Sequence, residues 1–114
     1  MEKTAGPYTP VVRSGDWIIV SGQIGHRDGV LVEGGLEPQL RQLFTNLKRL
    51  LASENTTLQS VLKTTVFLTD IDDYGQMNEI YIEEFEGHRP ARSAIAVNAL
   101  PLGALIEIEA WAKI

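Results

Sequence analysis

Residues 105–114 alternate along an extended chain: Leu105, Glu107, Glu109 and Trp111 point one way, and Ile106, Ile108, Ala110, Ala112 and Ile114 the other. One face is apolar throughout and the charges share its opposite, which predicts a half-buried strand. Residues 92–100 divide likewise, with Ser93, Ile95, Val97 and Ala99 against Arg92, Ala94, Ala96 and Asn98. If the larger Ile95/Val97 side joins the apolar face of the last strand, Arg92 falls on the same sheet surface as Glu107. Residues 17–22 are rich in strand formers and apolar on both faces, so they need cover on both. From residue 36 the period changes. Leu36, Leu40, Leu43, Phe44, Leu47, Leu50 and Leu51 recur at three and four residues, the stripe of an amphipathic helix with Pro38 in its first turn and an end near Asn55. Asp70, Asp72 and Asp73 offer caps and favourable charge to a second helix, whose apolar positions are Tyr74, Met77, Ile80, Tyr81 and Phe85 and which Gly87 stops.

Residues 1–6 are polar and small, and 9–13 form a short extended piece. Ser14-Gly15-Asp16 turns the chain into the strand at 17, and His26-Arg27-Asp28-Gly29 is a hairpin-like turn before an extended segment at 30–33. Thr56 to Gln59 has capping-box spacing and opens one helical turn through Leu62, and residues 63–69 alternate as a strand. Leu100-Pro101-Leu102-Gly103 is the final turn. No repeat or linker interrupts this series, so the expectation is one domain over 1–114 in the order β-β-β-α-β-α-β-β, an α+β sheet with both helices on one face. The other face would then carry Ala94, Ala96, Leu105, Trp111 and one side of residues 17–22. That surface is too apolar for water, which predicts self-association with Arg92 and Glu107 at or near a subunit boundary.

Composition narrows the chemistry. The chain has 114 residues, a hydrophobic fraction of 44% and a net charge of -5, so its overall field repels phosphate backbones and no nucleic-acid partner is expected. It has no cysteine, which removes disulfides, thiolate nucleophiles and thiolate metal sites. No apolar leader and no long apolar run appears, so neither export nor membrane insertion is expected and a cytoplasmic location is. His26 and His88 lie in turns without acids at metal-ligand spacing, so no metal site is expected. Gly22 and Gly25 lack the remainder of a phosphate-binding fingerprint, and Ser93 has no evident histidine partner.

What remains is Arg92, in Pro90-Ala91-Arg92-Ser93, and Glu107. A fixed cation and a carboxylate facing one space hold a small anion and move its protons, whereas the residues alone favour a structural salt bridge. Glu109 is a second carboxylate on the same face as Glu107. Ser21 and Gln23 are candidates for pocket hydrogen bonds, with a strand-end turn as the plainer reading, and Tyr8 by itself reads as a packing aromatic. Asn78 reads as a residue that satisfies backbone groups.

These residues resemble the RidA (YjgF-like) family of enamine/imine deaminases over nearly the whole chain. The matching pieces are Gly6-Pro7-Tyr8, Ser21-Gly22-Gln23-Ile24, Asn46, the segment 61–70, Asn78 with Tyr81, Pro90-Ala91-Arg92-Ser93, Leu100-Pro101 and Ile106-Glu107-Ile108-Glu109. The resemblance implies a chorismate-mutase-like α+β fold, assembled as a homotrimer with sheets inward and a site in each intersubunit cleft. It implies that Arg92 holds a substrate carboxylate, that Glu107 positions or activates water, and that Tyr8 borders the pocket. The implied activity is cofactor-free hydrolysis of reactive 2-imino acids, formed from 2-aminoacrylate and related enamines, to 2-keto acids and ammonia. The alternative is a regulatory trimer that binds small carboxylates without turnover. RNA cleavage, ascribed to some relatives, fits poorly with the acidic balance. Two departures stand out: Ala94 occupies a position where many members carry cysteine, and the segment 86–89 is short.

Overall fold

The computed structural model describes residue 4 and residues 6–114; residues 1–3 and 5, most of the polar opening segment, lie outside the described residues. Strands β1 (Val11–Ser14) and β2 (Trp17–Gln23) form a hairpin about Gly15, whose φ of 59° needs glycine's freedom. The hairpin turn expected at 26–29 is present, and it joins two very short strands, β3 (His26–Arg27) and β4 (Val30–Leu31), the first of which the sequence pattern did not suggest. Asp28 and Gly29 are both left-handed, with φ of 54° and 80°, as a tight two-residue hairpin turn requires.

Helix α1 (Leu36–Ser53) begins two residues before Pro38, which lies in the first turn, where its missing N–H leaves no bond unmade. A 3-10 turn, Leu58–Ser60, is present but shorter than expected: Thr57 caps it, its Oγ1 accepting from the Gln59 backbone N–H at 3.3 Å, and Leu62, expected in the turn, already belongs to β5 (Val61–Leu68). Asp70 caps the turn Ile71–Asp73 by accepting from the Asp72 N–H at 2.9 Å, and helix α2 (Tyr74–Glu84) continues from it. Strands β6 (Ala91–Ala96) and β7 (Ile106–Lys113) complete the chain.

The sheet order is β1-β2-β7-β5-β6. Only β5 and β6 run parallel, joined through α2, so the sheet is mixed. Both helices cover the face made by Ile18, Val20, Val66, Leu68, Ile106, Ile108, Ala110 and Ala112, all buried. Helix α1 contributes its leucine stripe, and Phe44 meets Tyr81 and Phe85 edge-on at 6.0 and 5.4 Å between ring centroids. Each such buried side chain stabilises the fold by about 1.5–3 kcal/mol. At the outer edge of the helix pair Arg41 bonds Glu37, Glu83 and Glu84, and Lys48 bonds Glu84, which fastens α1 to the end of α2.

The register overturns one expectation. Thr64 faces Arg92 on one side and Ala110 on the other, and Val66 likewise faces Ala94 and Ile108. Arg92, Ala94 and Ala96 therefore lie on the helix-covered face, while Ser93 and Ile95 share the open face with Phe67, Glu107 and Glu109. Size explains the reversal. Buried Met77 and Tyr81 of α2 pack against Arg92, so the small Ala94 side turns toward the helix, and Ile95, 48% exposed, turns outward. The open face remains apolar as expected, although its membership differs: Trp17, Ile19 and Trp111 join Phe67 and Ile95, and the two tryptophans pack edge-on at 6.1 Å between centroids.

Candidate functional site

Arg92 sits one residue into the edge strand β6, where Pro90 has set the backbone direction and α2 passes overhead. Its guanidinium lies over the Tyr81 ring at 4.9 Å and near the Tyr74 ring at 5.6 Å. One Nη1–H donates to Asn78 Oδ1 at 2.8 Å, and one Nη2–H donates to Tyr74 Oη at 3.1 Å. Tyr74, Asn78 and Tyr81 stand four and three residues apart, so one face of α2 supplies the whole cradle. Among the described residues no carboxylate pairs with Arg92, and its Nε–H has no partner. The cation is thus held in orientation without being neutralised. It lines a cavity of about 320 Å³ together with Asn78, Tyr81 and His88.

Tyr81 is itself fixed from beneath: its hydroxyl and that of buried Thr64 are 2.7 Å apart. Burial pushes the Tyr81 phenol above its ordinary value, although the Thr64 bond and the Arg92 charge oppose the shift. His88, placed in a turn by the sequence, is half-buried. Its Nε2 lies 2.7 Å from the Val61 carbonyl oxygen, so Nε2–H donates and anchors the cavity rim to the start of β5.

Glu107 lies on the opposite face of the sheet, in a larger cavity of about 820 Å³ that Tyr8, Gly22 and Gln23 also line. Burial raises its carboxyl pKa above the ordinary 4.5, and the like charge of Glu109 adds to the shift. The close approach of Gly22 holds it: a Cβ there would stand 2.7 Å from Glu107 Cδ and Oε2. Behind this cavity, buried Asn46 of α1 donates to the Ile24 and His26 carbonyls at 3.1 and 2.9 Å, and Gln39 Oε1 accepts from the Leu105 N–H at 2.9 Å. Both polar side chains fix loops flanking Glu107.

Of the residues singled out in the sequence, the fold thus brings Tyr8, Gln23 and Glu107 to one cavity and sets Arg92 in another. Gln23 donates through Nε2 to the Ser21 carbonyl at 3.0 Å. Ser21 lines neither cavity: its Oγ donates to the Thr9 carbonyl at 2.7 Å and ties the start of the chain to the end of β2. A salt bridge between Arg92 and Glu107 within one chain is excluded by the sheet between them. Sequence reasoning undervalued Asn78 and Tyr74; their spacing relative to Tyr81 was the available signal. Among the described residues no group of three or more His, Cys, Asp or Glu is placed to hold a metal ion.

The chain is similar to known proteins in both sequence and fold. Residues 2–114 match the family model described as Endoribonuclease L-PSP. The chain is 43% identical over 109 residues to the 2-iminobutanoate/2-iminopropanoate deaminase of Mus musculus, covering 94% of this chain and 81% of that one. It is 40% identical over 112 residues to a RutC family protein of Pyrococcus horikoshii, covering 96% and 89%. The crystal structure of the Rid-family protein YyfA from Yersinia pestis superposes with a TM-score of 0.93 at 40% identity, covering 97% of this chain and 90% of that one. Matched over residues 2–114 by the family model and through nearly all of its length by these relatives, the chain belongs to the RidA (YjgF-like) family.

Proposed function

We propose that the protein hydrolyses 2-imino acids to 2-keto acids and ammonia, without a cofactor, in clefts between copies of the chain. The observation that carries this reading is the oriented guanidinium of Arg92, cradled by Asn78, Tyr74 and Tyr81 in a cavity and paired with no acid among the described residues. A planar guanidinium that stays charged suits a carboxylate, and gripping it fixes the plane of the adjoining C=N bond. Glu107 takes the second role. With its carboxyl pKa raised, it relays both protons of the water to nitrogen in turn: the first as the oxygen bonds to the imine carbon and gives a carbinolamine, the second from the carbinolamine hydroxyl as the C–N bond breaks and ammonia leaves. Water supplies the keto oxygen, so the reaction balances with no oxidant or metal.

Arg92 and Glu107 lie on opposite sheet faces, so a second copy has to unite them. The exposed apolar face carrying Trp17, Trp111 and Ile95 supports such an assembly, and three copies in a ring give three equal sites, each joining Arg92 of one copy to Glu107 and Tyr8 of the next. Semicarbazide trapping of 2-iminobutanoate released by a threonine dehydratase is the test. Added protein is expected to outcompete the trap, and Arg92→Ala to abolish this effect while leaving assembly unchanged in sedimentation. Unchanged imine decay, with calorimetric binding of 2-oxobutanoate retained, would reduce the molecule to a carboxylate-binding trimer without turnover.

A further inference from the structure

The Arg92 cavity holds a second arginine. Arg89 lines the same space, and no acid is among the lining residues, although the chain as a whole carries a net charge of -5. The rim leaves Arg89 little choice of place. Glu86 and Gly87 are left-handed, with φ of 52° and 87°, and reverse the chain directly after α2. His88 is then bonded to the Val61 carbonyl, and Pro90 fixes the backbone on the other side. The Arg89 side chain is exposed and makes no hydrogen bond or ion pair with another described residue. Two guanidinium groups bordering one cavity favour negative charge in it, and a ligand with two carboxylates offers one to each. Exposed Ile82 supplies an apolar wall between the α2 end of the cavity and the rim.

We infer that this site selects 2-imino acids that carry a second carboxylate on the side chain, with Arg92 holding the carboxylate next to the imine carbon and Arg89 the distal one. The assignment rests on Arg92 as a carboxylate clamp and names the substrate class that the clamp serves. Arg89 acts in specificity and takes no part in bond making.

The experiment compares 2-iminoglutarate, released by a glutamate oxidase, with 2-iminobutanoate, and in parallel measures calorimetric binding of 2-oxoglutarate and 2-oxobutanoate. The wild type is expected to prefer the dicarboxylic member of each pair. Arg89→Gln should reduce that preference about tenfold, chiefly through KM, and Arg89→Lys should restore part of it. Equal treatment of both imines by the wild type, or an equal loss on both in Arg89→Gln, would overturn the inference and leave the deaminase reading standing. If neither imine is hydrolysed, the deaminase reading fails, and the binding arm still decides: a preference for 2-oxoglutarate that Arg89→Gln removes supports the two-cation site, and no preference overturns it.

Discussion

Glu107 is the residue whose environment works against its own charge. Burial and the neighbouring Glu109 hold its pKa above 4.5, so the folded chain binds this proton more tightly than the unfolded chain does. Its contribution to stability is therefore complete below pH 4.5 and is lost as pH rises through the raised folded value, the same limb on which the carboxylate becomes able to accept a proton from water. Activity should rise with pH while stability falls. Glu107→Gln should lower the deamination rate a hundredfold or more. It should also raise the urea midpoint above that limb and leave it unchanged below pH 4.5, which pH-resolved denaturation checks. Gly22 offers a gentler probe. The atoms nearest the Cβ of Gly22→Ala are Cδ, Oε2 and Cγ of the movable Glu107 side chain, so the carboxylate swings aside, and kcat should fall about tenfold to a hundredfold with little change in the urea midpoint.

At the scale of elements, the end of β2 and helix α1 together line the Glu107 cavity. Gly25, just beyond β2, lies so close to α1 that a Cβ would strike the Gln39 backbone, which cannot rotate away. Gly25→Ala should cost about 2–4 kcal/mol in urea denaturation. Because Gln39 also bonds the Leu105 N–H, activity should fall as the start of β7 shifts. Elements whose periodicity is enforced by burial were legible in the sequence: the leucine stripe of α1 and the Ile106/Ile108/Ala110/Ala112 side of β7 both face the core as their spacing indicates. The facing of β6 was not. An edge strand with one small side and one large side satisfies either orientation by itself, and the bulk of Met77 and Tyr81 on another element decides between them. For the same reason Arg92 and Glu107 were identifiable as candidates, but their separation by the sheet was not: that depends on the β5 register, which no local pattern encodes.

For the molecule as a whole, the exposed tryptophans, at 38% and 43%, and the division of the candidate site between two sheet faces are both met by the proposed ring, in which each copy presents its open face to the next. In such a ring Arg92 and Glu107 of the same chain serve different sites. Arg92→Ala and Glu107→Gln chains, each inactive alone, are then complementary: an interface that joins the intact Arg92 of one variant to the intact Glu107 of the other is wild type in both groups. Random assembly of equal amounts, after unfolding and joint refolding, places intact partners at about a quarter of the interfaces, so about a quarter of wild-type activity should return. The double variant mixed with either single variant should stay inactive, since no interface can then collect both groups. Recovery with the first pair and none with the second requires sites shared between copies. Failure to recover, with trimers of mixed composition present by native mass spectrometry, would place both residues' roles within single chains and remove the shared cleft on which the proposed chemistry depends.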